Sequence, residues 1–271
     1  MGQLYIVATP IGNLEDITLR ALRILGEVSL IAAEDTRTAR VLLRRHGIRA
    51  RLTALTDHNA ARAVPLLLDA LAADDIALIS EAGTPVVSDP GYELVTAAVA
   101  AGHRVTPIPG PSAVLAALVV SGLPAREFTY LGFLPHGGAD RRRLLATAAT
   151  EPRTVVVFES PHRLRAALQD ISAAYGNRPI AVCRELTKLY EEVFRGTAVQ
   201  ALDHFAAPRG EFTIVLAGAT DREPVDEPAA LADLAVLKRR GKGAREATEE
   251  VSRRSGIARR RLYRAWHELK E

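Results

Sequence analysis

Residues 80–91 read SEAGTPVVSDPG and directly follow an apolar run at residues 76–79. Glycine and proline at this density predict a tight loop at the end of a buried strand. The same punctuation recurs at TPIGN (9–13) and at PGPSA (109–113), each after a strand-like run. In open α/β sheets, ligands bind in the crevice beyond the carboxyl ends of the strands. Each loop alone is compatible with a structural turn, but the three together predict one binding pocket.

The chain alternates short apolar runs with segments of helical period, which predicts a parallel sheet flanked by helices. Val41 and Leu42 are expected to share the buried face of one such helix with Ala39. The predicted strands of the first half are residues 3–8, 29–33, 51–55, 75–80 and 104–108. Those of the second half are residues 128–134, 154–158, 179–183, 191–196 and 212–217.

The punctuation SGLP at residues 121–124 predicts a domain boundary. The fold class is therefore α/β, with two α/β/α domains at residues 1–122 and 123–220. The second of these is expected to contain a mixed sheet. Residues 221–271 are predicted to form a linker and a small C-terminal helical domain. The linker itself is predicted over residues 219–230 and so begins just before this segment.

Composition excludes several classes of protein. With 271 residues, 48% of them hydrophobic, the chain can bury a substantial core. No apolar run approaches the roughly 20 residues that span a bilayer, and the N-terminus lacks a signal pattern, so we expect a cytoplasmic protein without a membrane partner. The single cysteine, Cys183, excludes an internal disulfide and is expected in the core. No Cys/His cluster has metal-ligand spacing, so no metal site is predicted.

The charge is concentrated at the C-terminus. Residues 231–271 hold 12 Lys or Arg against 6 Asp or Glu, a net charge of +6, which leaves the first 230 residues at −3. The spacing of Val251, Gly256 and Leu262 indicates two helices joined by a glycine turn, and RRR at 259–261 opens the second helix. This pattern is typical of a helix-turn-helix that binds nucleic acid. A helical capping domain with a solvated basic face is the alternative.

Two nucleotide-binding motifs are missing. The loop at residues 9–13 lacks the three glycines of the dinucleotide fingerprint, and no loop ends in Gly-Lys-Ser/Thr. A Rossmann dehydrogenase and a simple nucleotide hydrolase are therefore disfavoured. The loops suit a ligand that is approached by backbone amides and carbonyls, such as an adenosine with a carboxylate and an amino group.

Charged residues crowd three further strand ends. In AEDTR (33–37), Asp35 or Thr36 can cap the next helix, whereas Arg37 can clamp a phosphate or hold carboxylates. RELTK (184–188) offers an acid, a hydroxyl and two cations, although a solvated loop is the default interpretation of such a run.

The third charged strand end, FESPHR, occupies residues 158–163. Ser160 and Pro161 are explained as the start of a helix. Glu159, His162 and Arg163 are not, and polar groups crowded at a strand end favour a substrate-binding site.

The chain resembles the tetrapyrrole methylase superfamily of S-adenosylmethionine-dependent enzymes in eight motifs: TPIGNLEDIT, AEDTR, EAGTPVVSDPG, PGPSA, GFLP, FESPHRL, RELTK and GEFTIVLAG. More narrowly, it resembles the branch that 2′-O-methylates a cytidine of 16S rRNA in the small ribosomal subunit. The resemblance covers residues 3–218 and implies a methyl donor bound between two α/β domains, and a homodimer. One departure is Glu81, where the family usually has Asp.

The resemblance also implies roles for single residues. The donor pocket would be lined by Pro10, Gly83, Thr84, Pro85, Val87, Ser112, Ala113 and Phe158. The acceptor side would be lined by Glu34, Asp35, Arg37, Arg184, Glu185 and Lys188.

A ribose hydroxyl is a poor nucleophile, and a positioned proton acceptor is typically worth about 10² to 10⁴ in rate. Glu185 or Lys188 is the expected base, Lys188 only if Arg184 and burial depress its pKa. The rival hypotheses are a tetrapyrrole methyltransferase of the same fold and a non-enzymatic nucleic-acid-binding protein. The basic tail disfavours the first, and the three pocket loops disfavour the second.

Overall fold

A computed structural model describes residues 2–219, 227–255, 257 and 259–268. Its contacts divide the chain into two compact units. The first unit consists of two segments, the chain up to Ala149 and Arg153–Ala217, and it contains both predicted sheets. The second unit consists of Thr150–Pro152 and the chain from Gly218 onward. The predicted boundary at residue 122 lies inside the first unit and stays a prediction.

The first sheet is entirely parallel, with the strand order β3-β2-β4-β1-β5. Its strands are β1 (Gln3–Val7), β2 (Leu30–Ala33), β3 (Arg51–Ala54), β4 (Ile76–Ile79) and β5 (Arg104–Ile108). Five helices accompany it: α1 (Leu19–Glu27), α2 (Thr36–Arg45), α3 (Ala60–Ala73), α4 (Tyr92–Ala100) and α5 (Ala113–Val120). Alternate residues of the strands point to opposite faces of the sheet and pack in two hydrophobic cores. One core is formed with α1 and α2, and the other with α3 and α4. The strands β1 and β4 are neighbours in the sheet, but the helices that follow them, α1 and α4, pack on opposite faces. A crevice therefore opens between the carboxyl ends of β1 and β4.

The second sheet is mixed, with the strand order β6-β7-β10-β8-β9. The β6–β7 pair is parallel, and the other three pairs are antiparallel. The strands are β6 (Phe128–Phe133), β7 (Thr154–Glu159), β8 (Ile180–Arg184), β9 (Glu192–Gly196) and β10 (Phe212–Leu216). One face is covered by α6 (Gly138–Ala148), α7 (Pro161–Tyr175) and α8 (Ala198–His204). The predicted α/β class and the mixed second sheet are confirmed.

Helix α5 joins the two sheets. Its residues Val114, Ala117 and Leu118 are buried against Val156 and Val215 of the second sheet, although α5 follows the last strand of the first. Cys183 lies in the same cluster, as expected for a core residue. Helix α5 and Ile11 of the loop after β1 therefore belong to a hydrophobic core of the second sheet.

The second unit contains α9 (Glu227–Arg239), α10 (Ala244–Ser255) and α11 (Arg259–Glu268) around a small core with Leu234, Val251 and Trp266. This confirms the predicted C-terminal helices, although the predicted turn residue Gly256 lies outside the described residues. Of the predicted linker, residues 220–226 also lie outside them. Residues 227–230 are helical, so the linker prediction is wrong there; Pro228 suits the first turn of a helix.

The prediction for Val41 is also wrong. Ala39 and Leu42 are buried, but Val41 is 58% exposed. Residues at i and i+1 point about 100° apart on a helix, so Leu42 and Val41 cannot both face the core squarely. Val41 instead faces a cavity.

Candidate functional site

A cavity of about 570 Å³ lies at the carboxyl edge of the first sheet and is closed by loops of the second. This volume is within the usual range for small-molecule sites. The first half of the chain contributes residues 9–12 after β1, residues 80–84 and 87–89 after β4, residues 112–114 after β5, and part of α2. The second half contributes Phe133, residues 158–161, Lys188 and residues 211–213.

Backbone and side-chain hydrogen bonds tie these loops together. Thr9 and Gly83 exchange two backbone hydrogen bonds, of 2.8 and 3.0 Å, which join the loops after β1 and β4. The Thr84 hydroxyl donates to the carbonyl of Pro111 at 3.3 Å, which adds the loop after β5. The Ser88 and Tyr130 hydroxyls are 2.7 Å apart, and this contact reaches strand β6 of the second sheet. The three loops singled out in the sequence thus meet around one pocket.

The loop after β4 carries a carboxyl group with a shifted pKa. The pKa of Asp89 is raised to about 6, mainly by burial and also by the charges of Glu34 and Glu81, while a hydrogen bond with Ser80 opposes the shift. All three carboxylates line the cavity. The Glu81 backbone N–H also donates to the Glu34 carboxylate at 3.1 Å. Asp89 therefore exchanges its proton near neutral pH, as a general base requires.

Backbone strain is concentrated in two loops beside the cavity. Among the residues that the structure describes, the non-glycine residues with positive φ are Val86 (75°), Ser88 (66°), Glu185 (50°) and Thr187 (68°). Such conformations cost about 1 to 3 kcal/mol each and persist only where the surroundings impose them. Strain of this kind clusters at functional sites, and here it lies in the loops that follow β4 and β8.

The loop after β8 holds an ion-pair network. Lys188 donates to the Glu185 carboxylate at 2.9 Å and to that of Glu211 at 3.0 Å. Burial opposes it, but these two carboxylates raise the pKa of Lys188 above its ordinary value. The pKa of Glu185 is lowered despite burial, because the Glu211 backbone N–H and Lys188 donate to it. Lys188 was expected to act as a base only if its pKa were depressed, and its pKa is raised instead. Glu185 is a weak base in this network, because its pKa is lowered.

Glu159 offers an acceptor that the protein leaves unused. Its side chain is fully buried, and its Oε1 accepts from the Ser160 backbone N–H at 2.7 Å and from Arg163 at 2.6 Å. Burial raises the pKa of Glu159. Within the described part of the chain, Glu159 Oε2 and the buried hydroxyl of Thr9 have no hydrogen-bond partner. Both residues line the cavity, and an orphaned buried polar atom of this kind is satisfied by a ligand donor or acceptor.

Most of the residues predicted for the donor pocket line the cavity: Pro10, Gly83, Thr84, Val87, Ser112, Ala113 and Phe158. Pro85 is buried beneath the loop and does not line it. Of the residues predicted for substrate and catalysis, Glu34, Glu159 and Lys188 line the cavity. Those that do not are Asp35, Arg37, His162, Arg163, Arg184 and Glu185.

Two of these residues outside the cavity pair with each other at the start of α2. Asp35 caps the helix by accepting from the Arg37 backbone N–H at 2.7 Å, and the Arg37 guanidinium binds both carboxylate oxygens. These hydrogen bonds lower the pKa of Asp35 to about 2. The guanidinium of Arg37 is 86% exposed. Arg184 binds Glu192 of the adjacent strand at 3.1 Å, and His162 is exposed.

Comparison with known proteins identifies the family. The model of the tetrapyrrole (corrin/porphyrin) methylases matches residues 3–202. The ribosomal RNA small subunit methyltransferase I of Mesorhizobium japonicum is 47% identical over 99% of this chain and 92% of its own length. The chain belongs to the tetrapyrrole methylase family, in its ribosomal RNA small subunit methyltransferase I branch. The proteins of that name from Halalkalibacterium halodurans and Synechocystis sp. are 41% and 44% identical over 98% and 99% of the chain, and 95% and 99% of their own lengths.

Two solved structures share the fold. Uroporphyrin III C-methyl transferase from Thermus thermophilus superposes with a TM-score of 0.58 at 21% identity, over 80% of this chain and 97% of its own. Diphthine synthase gives a TM-score of 0.61 at 14% identity, over 80% and 90%. The family and the methyltransferase activity predicted from the eight motifs are thus confirmed for this tetrapyrrole methylase.

Sequence reasoning missed several residues of this tetrapyrrole methylase. Asp89 stood in the quoted loop but was given no role of its own, and the cavity residues Thr9, Phe133, Glu211 and Phe212 were not among the predicted site residues. Glu211 had one available signal, its place beside Gly210 at the start of a strand. In the described ranges, no cluster of three or more His, Cys, Asp or Glu is placed to hold a metal. No helix there is long and apolar enough to cross a membrane.

Proposed function

We propose that the protein transfers a methyl group from S-adenosylmethionine to the 2′-hydroxyl of a cytidine ribose in 16S rRNA of the small ribosomal subunit. The observation that carries the proposal is the cavity at the carboxyl edge of the first sheet, with Asp89 in its wall. The names of relatives 41% to 47% identical over nearly the whole chain support the RNA substrate. The proposal includes a cytoplasmic location, where small subunits reside.

The residues present fit the donor. When bound, S-adenosylmethionine supplies a methyl group on a positively charged sulfur. The carboxylates of Glu34, Glu81 and Asp89 give the cavity wall a negative potential that favours such a cation. Backbone groups of the three loops and the orphaned polar atoms of Thr9 and Glu159 are available for the polar groups of the donor. Pro10, Gly83, Thr84, Val87, Ser112, Ala113 and Phe158 are the residues proposed to hold it.

The chain has two tasks in the reaction. It positions the ribose oxygen, since holding two reactants in attack geometry can supply roughly 7 to 11 kcal/mol. It also accepts the hydroxyl proton, for which we propose the Asp89 carboxylate as the oxygen–carbon bond forms. Lys188 stays protonated and positions Glu185 and Glu211. The earlier hypothesis of Glu185 as the base remains the alternative and is tested against Asp89 below.

A methyl-transfer assay tests the function. The full-length protein is expected to bind S-adenosylmethionine in a calorimetric titration and to move labelled methyl to unmethylated 30S subunits. The product is expected to be a single cytidine whose neighbouring phosphodiester resists alkaline cleavage, because its 2′-oxygen is blocked. A corrin precursor serves as the competing acceptor. Transfer to the corrin precursor without transfer to 30S subunits would contradict the proposal.

The second unit is proposed to bind RNA through α11. Arg260 and Arg264 lie one turn apart on this helix, and both are exposed, as are Tyr263 and His267, whose rings meet edge to face. Leu262 and Trp266 anchor the opposite face in the core of the unit. An exposed basic and aromatic face on a buried apolar one is typical of a nucleic-acid-binding helix.

Neutralising this face should weaken RNA binding. For Arg260→Gln/Arg264→Gln we expect the slope of log affinity against log salt to fall by about 1 to 2, because each lost phosphate contact removes roughly 0.7 to 0.9. Filter binding of 16S rRNA between 50 and 200 mM salt measures the slope. The control is Arg239→Gln/Arg245→Gln, which removes the same charge from exposed positions on α9 and α10. Equal slopes for both variants would remove the proposed role of α11.

A homodimer is proposed through the outer face of α5. Leu115 and Val119 on this face are 52% and 74% exposed, although the helix is apolar throughout. Apolar side chains grouped on one surface commonly mark an interface between proteins. Light scattering should give twice the chain mass for the native protein and the single mass for Leu115→Glu/Val119→Glu. Leu19→Glu/Leu66→Glu, at exposed positions on α1 and α3, should remain dimeric. A native monomer would contradict the proposal.

A further inference from the structure

One segment of the first unit is strongly basic. Residues 36–51, which form α2 and lead into β3, contain six arginines and no aspartate or glutamate. All six are exposed in the structure. We call them the arginine strip: Arg37, Arg40, Arg44, Arg45, Arg49 and Arg51. The first 230 residues as a whole carry net negative charge, so this density is a local property.

The strip begins at the rim of the cavity. Thr38 and Val41 of α2 line the cavity, and Arg45 follows them on the same helix face. Arg37, Arg40 and Arg44 form the adjacent row at the same spacing. Since a helix rises about 1.5 Å per residue, the arginines of α2 span about 12 Å along the rim, from Arg37 to Arg45. A chain that enters the cavity would therefore have its continuation beside the strip.

Folding alone does not explain these arginines. Arg44 and Arg45 lie in the last turn of α2, where cations interact favourably with the helix dipole. Arg37 lies in the first turn, where a cation is unfavourable; it binds Asp35 and also interacts with the charge of Glu81. Within the described residues, the other five arginines of the strip form no ion pair. Like charges three and four residues apart, such as Arg37, Arg40 and Arg44, destabilise a helix, so the row opposes helix formation.

The strip and the cavity have opposite charge. The cavity wall presents Glu34, Glu81 and Asp89, which repel phosphate, whereas the rim presents guanidinium groups, which bind phosphate oxygens in a planar, bidentate manner. A nucleotide is therefore accommodated best with its phosphates outside on α2 and its sugar inside the cavity.

We infer that the arginine strip binds the phosphate backbone of the single-stranded RNA flanking the nucleotide in the cavity. This inference rests on the proposed function, because it assumes an RNA acceptor. It makes the strip the positioning surface for the acceptor and assigns it no part in binding the methyl donor.

The test compares two charge-matched variants of the full-length protein. Arg40→Gln/Arg44→Gln/Arg45→Gln neutralises three of the four arginines of the strip that lie on α2 and leaves Arg37, which pairs with Asp35, in place. Arg20→Gln/Arg62→Gln/Arg104→Gln removes the same charge from exposed positions on α1, α3 and β5. Filter binding of 16S rRNA and of 30S subunits, without methyl donor, is measured from 50 to 200 mM salt. Calorimetry gives the affinity for S-adenosylmethionine, and thermal unfolding verifies that both variants fold.

For the strip variant we expect at least a 30-fold loss of RNA affinity at low salt and a salt slope smaller by about 2, since three phosphate contacts on single-stranded RNA each contribute roughly 0.7. Its affinity for S-adenosylmethionine should stay within twofold of native. The control should lose less than threefold in RNA affinity. A third variant, Arg40→Lys/Arg44→Lys/Arg45→Lys, should recover most of the slope, because it restores the charge.

Coincident RNA-binding curves for the strip and control variants would overturn the inference. So would a strip variant with equal losses for RNA and for S-adenosylmethionine, because that result indicates a damaged cavity. Failure of the proposed function has a different readout. In that case the native protein transfers no methyl to 30S subunits, whereas the binding comparison still decides whether the strip holds RNA.

Discussion

Asp89→Asn is expected to lower the rate of methyl transfer by about 10²- to 10⁴-fold at saturating donor and RNA, the usual contribution of a general base. Asparagine keeps the size of the side chain but cannot accept the hydroxyl proton. The native rate should rise with pH through about 6, where Asp89 loses its proton, and level off above it. The pH–rate profile from pH 4.5 to 8.5 and single-turnover kinetics measure both effects.

Glu185→Gln is the matched control. The pKa of Glu185 is lowered, so as the base it would place the rising limb of the profile well below pH 6. If Asp89→Asn keeps the native rate, or if Glu185→Gln alone abolishes the limb near pH 6, then the assignment of Asp89 is wrong and Glu185 takes its place.

Stability provides an independent readout for the same substitution. The folded pKa of Asp89 is raised above the unfolded one, so the folded state binds the proton more tightly. The carboxyl group therefore contributes least at high pH, and native stability falls as pH rises from about 4 to about 6. At pH 7.5, Asp89→Asn should be more stable than native by about 1 to 2 kcal/mol after allowance for partial exposure, and equally stable below pH 4. A gain in stability with a loss of rate is not expected of a merely structural residue.

Gly210→Ala is expected to lower kcat/KM by about 10²-fold, the loss that a misplacement of about 1 Å can cause. Gly210 has φ of 86°, and an added Cβ would lie 2.5 to 2.6 Å from the Glu185 side chain. Glu185 would have to move, and with it the ion pair to Lys188 in the cavity wall. Steady-state kinetics with 30S subunits measure the loss.

Gly47→Ala separates this displacement from simple backbone strain. Gly47 has φ of 68°, and its Cβ would meet nothing within 4 Å. Both variants should lose stability, because alanine is unfavourable at positive φ, and Gly210→Ala should lose more, because it also displaces Glu185. Only Gly210→Ala should lose activity; equal activity in the two variants would show that the position of Glu185 is not critical.

Local pattern was sufficient to predict the strands and the loops. The four residues of β4 are buried on both faces of the sheet, so an unbroken apolar run identified them. The loops that follow were recognisable because glycine and proline mark the sharp turns that a pocket at this edge needs. For the same reason, most of the residues predicted to contact the donor line the cavity.

Pairings between distant segments were not predictable in this way. Arg184 binds Glu192 because the antiparallel register of β8 and β9 sets them opposite each other. The pKa of Lys188 depends on Glu211. Glu211 directly precedes β10, and β10 pairs with β8, the strand that leads into the loop of Lys188. The pKa of Asp89 depends on Glu34 at the end of another strand. Charge state is a property of assembled neighbours, and sequence spacing contains no information about it.

The burial of α5 against the second sheet has a consequence for how the molecule comes apart. Val114, Ala117 and Leu118 follow the last strand of the first sheet, but their apolar partners include Val156 and Val215 of the second. A break in the chain between α5 and β6 would expose apolar surface on both fragments, so we do not expect either half to fold on its own. We therefore expect the two halves of the first unit to unfold together in one cooperative transition.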